Sequence, residues 1–332
     1  MQTAGLPIDP LPALLAEPGP ALNYFVRRDL LGEEVPEIEQ VWDSAEVRQS
    51  LRGQQEDGSW PKKRTQPDVW PGWHYPLFET WKRLRVLVQQ YQLTVEHPGC
   101  RAACEFVLSC QQEEGDIRGL LANQYATYYT GALTYLLIRA GLADDPRVHA
   151  ALDWLLSIRQ DDGGWSLAMI DHNLSREEQH RLSTQYAPPL EPDRSRPFTH
   201  MVTGMVLRAF AAHEGYRNRE EIQHAGRLLK SRFFQPDSSS SYKAAAYWTI
   251  FNWPYWWNDL VSALDSLEQL RLPADDPEIA AGLAWFFEHQ RKDGLFDLTS
   301  INGRTATGPR AATQRGWTGL NIVKLIRRFA AP

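Results

Sequence analysis

Gly131-Ala-Leu-Thr-Tyr-Leu-Leu-Ile138 opens a stretch that runs to Asp162-Gly163-Gly164-Trp165. The chain repeats it without a gap 131 residues later, from Ser262 to Phe296. In that frame Ala143-Asp144-Asp145-Pro146 falls on Ala274-Asp275-Asp276-Pro277, and Trp154 falls on Trp285. The turn Asp162 to Trp165 falls on Asp293-Gly294-Leu295-Phe296. Agreement over two helix lengths and two turns marks an internal repeat, and a repeat of this size is one supersecondary unit.

The unit reads as two helices. The first, from Gly131, is apolar on every side, which suits a helix buried all round. The second begins at Asp145-Pro146 or Asp276-Pro277. An Asp at the N-cap accepts from the free N–H groups, and a Pro at the next position has no N–H to satisfy. It continues with Val148, Ala151, Leu152 and Leu155 on one stripe and stops at an Asp-Gly turn. Apolar helices that alternate with half-polar ones predict an inner ring inside an outer ring.

The turn recurs along the chain. Copies begin at Gln55, Gln112, Gln160 and Gln290, with a degraded one at Gln235-Pro236-Asp237-Ser238, and the gaps between them are 57, 48, 75 and 55 residues. Unequal gaps mean a fixed hairpin that carries loops of different length. Inner helices are expected near 22–31, 77–90, 128–140, 201–213, 257–270 and 317–329. Outer helices are expected near 44–55, 100–111, 147–159, 219–233 and 278–290. An open solenoid of stacked pairs is the rival. The last helix, from Trp317, is of the inner type with no outer partner after it, so it needs the first inner helix to cover it. The fold predicted is all-α, a single-domain α/α toroid over 1–332. Its roughly five hairpin units fall near 14–60, 77–117, 125–165, 198–238 and 253–296, with a closing helix at 317–329.

The bulk properties agree. The chain is 43% hydrophobic and 23% charged, with a net charge of −6, so no nucleic-acid partner is expected. No apolar run reaches the roughly 18 residues of a membrane span, which leaves peripheral contact as the one membrane role open. The N-terminal stretch, broken by Pro7, Pro10 and Pro12, does not read as a signal peptide. Cys100, Cys104 and Cys110 share one predicted helix without a His, and read as buried thiols of a cytoplasmic protein. No metal or cofactor is expected, and the oligomeric state is left open. The 13 Trp, 12 Tyr and 12 Phe must fill a large core or line a cavity.

The Gln-x-Asp-Gly-x-Trp turns resemble the Gln/Trp repeats of squalene and oxidosqualene cyclases, shared more loosely by protein prenyltransferase β-subunits. The resemblance covers about Leu14 to Phe329 and implies the terpenoid cyclase and prenyltransferase toroid. It gives Gln55, Gln112, Gln160, Gln290, Trp60 and Trp165 a structural role in clamping outer-helix ends. The family's chemistry is not carried over. Neither the Asp-x-Asp-Asp nor the Asp-Cys-Thr-Ala-Glu motif occurs, and Asp297-Leu298-Thr299 lacks the thiol that a prenyltransferase zinc site needs.

Loops near 60–76, 166–200, 235–256 and 295–316 fall on one face, around the N-termini of the inner helices. At those starts stand Trp73, His74 and Tyr75, then Tyr125 and Tyr128, then His200. Trp253, Trp256, Trp257, Asn258 and Asp259 mark a fifth start, and Arg315 and Trp317 a sixth. Imidazole is the side chain suited to proton transfer near neutral pH, and Asp259 sits among apolar neighbours that raise a carboxyl's pKa, so His74, His200 and Asp259 are the candidate catalytic groups. The others are candidate lining residues. Thr-Gly steps at 130–131, 203–204 and 318–319 let inner helices approach closely. Lys62, Lys63, Arg64, Lys243, Arg304, Arg310 and Arg315 supply positive charge to the same face. The expectation is a small apolar, isoprenoid-type ligand in an aromatic-lined cavity, handled by a cyclase or prenyl-processing enzyme that lacks the usual motifs. A polysaccharide lyase-like toroid and a non-catalytic binding toroid are the alternatives.

Overall fold

The computed structural model describes residues 5–17, 19–63, 68, 70–237 and 242–330. Arg64 and Ser238 lie outside the described residues. The chain is all-α, with one short extended piece, Leu120–Asn123. In chain order the helices are α1 (Leu11–Ala16), α2 (Pro20–Phe25), α3 (Glu39–Trp42), α4 (Ala45–Leu51), α5 (Tyr75–Arg85) and α6 (Pro98–Ser109). Then come α7 (Thr127–Leu137), α8 (Pro146–Ser157), α9 (Ala168–Asp171), α10 (Arg176–Thr184) and α11 (His200–Ala212). The last are α12 (Glu214–Arg217), α13 (Glu220–Lys230), α14 (Leu260–Gln269), α15 (Pro277–Glu288) and α16 (Pro309–Ala330). Three of the apolar helices run on into a π-helical turn, at Val26–Leu31, Val86–Gln90 and Ile138–Leu142.

The apolar helices pack on one another in sequence, α5 on α7, α7 on α11, α11 on α14 and α14 on α16. Asp145 and Asp276 cap α8 and α15 as their Asp-Pro starts require. The Thr-Gly steps have two separable jobs. Gly131 is the close-approach residue, since a Cβ there would lie 2.7 Å from Val206 Cα on the next inner helix. Thr80, Thr130 and Thr203 accept the main-chain N–H groups of Trp60, Ile117 and Trp165, at 3.1, 3.2 and 2.9 Å. These bonds tie each turn to the inner helix that follows it.

Each turn also grips the next outer helix. Gln54 Nε2 donates to the carbonyl of Gly99 at the start of α6, and Gln111 Nε2 to that of Arg147 at the start of α8. Arg159 reaches Glu221 at the start of α13 in the same way. Gln290 Nε2 makes the last such bond, to the carbonyl of Ile8 just ahead of α1. The clamping amides are therefore Gln54 and Gln111, while Gln55 and Gln112, expected in that role, are exposed. The amide must also reach its own turn's glycine carbonyl, at Gly58 or Gly115, and only the residue one position earlier points inward. Trp60 and Trp165 are buried as the resemblance implies.

The turn glycines show the same pattern. Gly58, Gly115, Gly163 and Gly294 all have φ between +82° and +109°. A Cβ on Gly58 or Gly115 would strike the Ala102 or Ala150 carbonyl of the next outer helix, and one on Gly294 would strike Asp9 and Pro10. The start of the chain thus stands where a further outer helix would. Helix α1 packs on α16. The ends are bound further by Lys324–Asp29 and by Arg327 donating to the Leu30 carbonyl at 2.6 Å. These contacts join the last helix to the start of the chain, the joint that a closed toroid needs.

Two boundaries differ from expectation. Helix α16 begins at Pro309, eight positions before Trp317, because Gly308 at φ +86° ends the loop and Pro309 starts a helix well. The long 166–200 connection carries α9 and α10, too short and too polar for the periodicity to show. Cys100 and Cys104 are buried and Cys110 half-buried, all free.

Candidate ligand chamber

Between the N-terminal ends of α7, α11 and α14 lies a cavity of about 550 Å³, counting the part open to solvent. Its wall is aromatic and soft. Tyr128 and Tyr129 come from α7, Met201 and Met205 from one stripe of α11, and Trp256 and Trp257 from the segment before α14. Tyr242 and Leu167 complete it from the loops and Ile170 from α9. Of the predicted lining residues, this chamber gathers Tyr128, Trp256 and Trp257.

The segment Trp253–Trp257 acts as a strap between the inner helices, and side chains at its two ends serve different spaces. Arg85 Nε donates to the Tyr255 carbonyl at 2.7 Å and its Nη2 to Pro254. Gln89 Oε1 accepts the Tyr255 N–H at 2.8 Å, and Arg208 Nη2 donates to the Trp257 carbonyl at 3.0 Å. Trp256 and Trp257 face the aromatic chamber. Tyr255 and Trp253 face a polar space lined by Gln89, Asp265, Glu268, Lys324 and Arg328 at the opposite ends of the inner helices.

The predicted catalytic residues stand elsewhere, each for a visible reason. Asp259 is the N-cap of α14: its Oδ1 accepts the Ser262 N–H at 2.8 Å and its Oδ2 the Asn252 N–H at 3.2 Å. Burial pushes its carboxyl up to about 6. His200 is 1% exposed and stacked on Trp248 at 4.5 Å, with Nε2 3.8 Å from Asp237. Burial lowers the pKa of that imidazole, which holds it neutral. Asp237 also accepts the main-chain N–H groups of His200 and Met201, which caps α11. His74 caps α5, with Nδ1 accepting from Leu77 at 3.0 Å. None of the three is in the chamber wall.

The remaining predicted residues are spread over the same face. Trp73 donates to the Ser183 carbonyl at 2.6 Å and stacks on Trp70. Tyr75 accepts the Trp70 N–H, under the Lys62 ammonium at 3.7 Å from its ring. Tyr125 bonds Glu114 and Glu191, contacts that push its phenol pKa up together with burial. Asn258 is buried against Gly204 and donates to the His200 carbonyl. Trp317 packs between Phe25 and Tyr91. Arg315 reaches the Ala306 carbonyl at 2.9 Å.

Several chamber and strap residues escaped the sequence reading. Arg85 and Arg208 are 7% and 1% exposed in the middle of inner helices. A lone Arg inside the apolar run Val202–Ala212 was a usable signal, since a charge there must meet partners in the core. Met201 and Met205 are spaced one turn apart on one face and could have been found by the same count. Tyr242 belongs to a loop with no period. Asp171, at the end of α9 next to Ile170, is 4% exposed, and burial pushes it up to about 6.

No protein-family model and no curated protein sequence matches the chain. Solved structures do. The type II terpene cyclase MstE from Scytonema, in complex with geranylgeranyl dihydroxybenzoate, is similar at a TM-score of 0.50 and 15% identity, over 89% of this chain and 78% of that one. A protein from Actinoplanes is similar at 0.47 and 16%, over 97% and 88%. A polysaccharide lyase is similar at 0.46 and 13%, over 99% and 91%. At these identities the similarity is one of fold. The chain has a helical fold like that of the terpene cyclase. Among the described residues no helix is long and apolar enough to cross a membrane.

Proposed function

We propose that the chain is one α/α-toroid domain that binds an apolar, isoprenoid-type small molecule in the aromatic chamber, in a reducing cytoplasm where its thiols stay free. The observation that carries this reading is the composition of the wall. Five aromatic rings with Met201, Met205, Leu167 and Ile170 enclose one space. Rings and thioethers favour a flexible hydrocarbon, through burial of area and through contacts with polarisable faces. A saccharide would need many hydroxyl partners, and the wall offers little beyond three phenols. Burial pushes the Tyr128 and Tyr129 phenols upward, so they stay neutral at physiological pH.

Among the described residues the wall contains no carboxylate and no imidazole. Binding is therefore what this wall supports. Chemistry started by a proton would have to draw on Asp171 or Asp259, neither of which lines the space. The test is calorimetric titration with geranylgeraniol and, separately, with trigalacturonate. Geranylgeraniol should bind saturably, and Met205→Trp, which fills the chamber, should abolish that binding without lowering the melting temperature. Saturable binding of trigalacturonate with none of the prenyl alcohol would overturn the reading in favour of the lyase-like alternative.

A further inference from the structure

Beside the strap, on the side away from the aromatic chamber, lies a second pocket of about 910 Å³, open space included. It runs between the strap at Asn252–Pro254 and the loop at 298–306, with Arg85 at its inner end and Arg304 at its rim. Arg85 is 7% exposed, yet among the described residues it makes no ion pair. The ionisable groups that act on it are the Arg208 guanidinium, which repels it, and the Tyr129 phenol. Burial and that repulsion pull its pKa down to about 9, which still leaves it cationic at neutral pH.

A buried cation without a counter-charge is costly, because neither water nor an opposite charge repays its desolvation. The surroundings of Arg85 reduce that cost only in part. Its guanidinium lies over the Trp256 ring at 4.5 Å and near Trp81 at 5.1 Å. Nε and Nη2 are used on the two strap carbonyls, which leaves Nη1 of the fork without a partner among the described residues. At the rim, Arg304 is exposed and likewise has no carboxylate partner among the described residues. The same lining carries the hydroxyls of Thr299 and Thr305, and that of Ser300, which bonds Asn302 and the Arg304 carbonyl. Two guanidinium groups without a carboxylate partner among the described residues, in one lining with hydroxyl side chains, are a donor set that a small oxyanion recognises.

We propose that the pocket between Arg85 and Arg304 is a binding site for a small oxyanion, a phosphate or carboxylate group, held by Arg85 from within and Arg304 from the rim. The site does not depend on what the aromatic chamber binds. Trp256 separates the two, since one ring lines the chamber and also carries the Arg85 guanidinium on its face.

Pyrophosphate and succinate serve as probes in separate calorimetric titrations of the full chain at constant ionic strength, and the comparison between them tells phosphate from carboxylate. At least one should bind saturably in the millimolar range or tighter. Arg304→Ala, an exposed change that leaves the fold alone, should weaken it about ten-fold, the loss of one charge-assisted contact. Arg85→Lys should weaken it more, because an ammonium cannot both hold the strap and face the anion. Arg310→Ala, exposed on the same face but outside the pocket, should leave it unchanged. Two results overturn the proposal: no saturable binding of either anion, or Arg304→Ala binding as wild type does. Geranylgeraniol carries no charge, so failure of the chamber reading would leave these titrations unaffected.

Discussion

Gly294→Ala tests whether the start of the chain closes the ring. Gly294 has φ +82°, and a Cβ there would lie 2.7 Å from Pro10 Cα and 2.8 Å from the Asp9 carbonyl oxygen. Two costs add. Holding an L-residue in the left-handed region costs roughly 1–2 kcal/mol. Forcing packed backbone apart costs about 1–3 kcal/mol more. The sum is about 2–5 kcal/mol. Unfolding entropy of about 2.1 cal/mol/K per residue makes each kcal/mol worth about 1.4 °C for a chain of this length, so the melting temperature should fall by about 3–7 °C. Gly303→Ala isolates the first cost, because its φ is +76° and nothing lies within 4 Å of its Cβ. Gly115→Ala reports an internal joint, where the Cβ would meet the Ala150 carbonyl at 2.4 Å. Thermal unfolding of the three variants should rank Gly115→Ala and Gly294→Ala together, with Gly303→Ala well below them in cost. If Gly294→Ala costs no more than Gly303→Ala, the N-terminal segment does not seat on the last turn, and the closed cycle is wrong.

Two further variants probe the interior. Asp259 is pushed up to about 6 by burial, so the folded state binds its proton more tightly than the unfolded chain does. Its contribution is largest below about pH 4 and is lost as pH rises to about 6, a change of about 3 kcal/mol. Asp171 is raised the same way and adds to that slope. Urea unfolding between pH 4 and 7 should show a shallower fall for Asp259→Asn, which keeps one cap oxygen for Ser262; an unchanged slope would clear Asp259 of the effect. Thr203→Val leaves the buried Trp165 N–H without its acceptor and should cost about 2 kcal/mol, whereas Thr318→Val should cost almost nothing. The difference arises because Thr203 Oγ1 both accepts from and donates to Trp165, while Thr318 Oγ1 has no partner among the described residues. Equal costs in chemical denaturation would show that the turn-to-helix bond is not what these threonines are for.

The fold was legible because its rules are local and repeated. Asp145-Pro146 and Asp276-Pro277 announce outer helices by capping chemistry alone, and the turn glycines need a backbone that only glycine adopts cheaply. That residues 8–16 pack beside the last turn and α16 carries no signal in the repeat. The site was less legible. Aromatics at helix starts include Tyr128, Trp256 and Trp257, which line one cavity, but a helix start also needs a cap. Asp259 and His74 are polar for that reason, and sequence position cannot separate a cap from an acid. His200 is adjacent to Met201, which lines the chamber, yet its own side chain turns toward Trp248 and Asp237. Arg85 and Arg208 lie inside helices, where a charge has to be explained by its partners, and not in loops, where positive charge is cheap.

The bond from Gln290 to Ile8 is built like those from Gln54 to Gly99 and from Gln111 to Arg147, so the last turn meets the segment ahead of α1 as one unit meets the next. A stacked array can gain or lose a unit and still satisfy its neighbours. A ring cannot, because every joint's angle must add to one full turn, and an added hairpin would leave all the joints misfitted together. What a ring tolerates is relocation of the break. New termini placed in an exposed loop such as 299–308 should preserve every helix contact, provided that a linker spans the old ends.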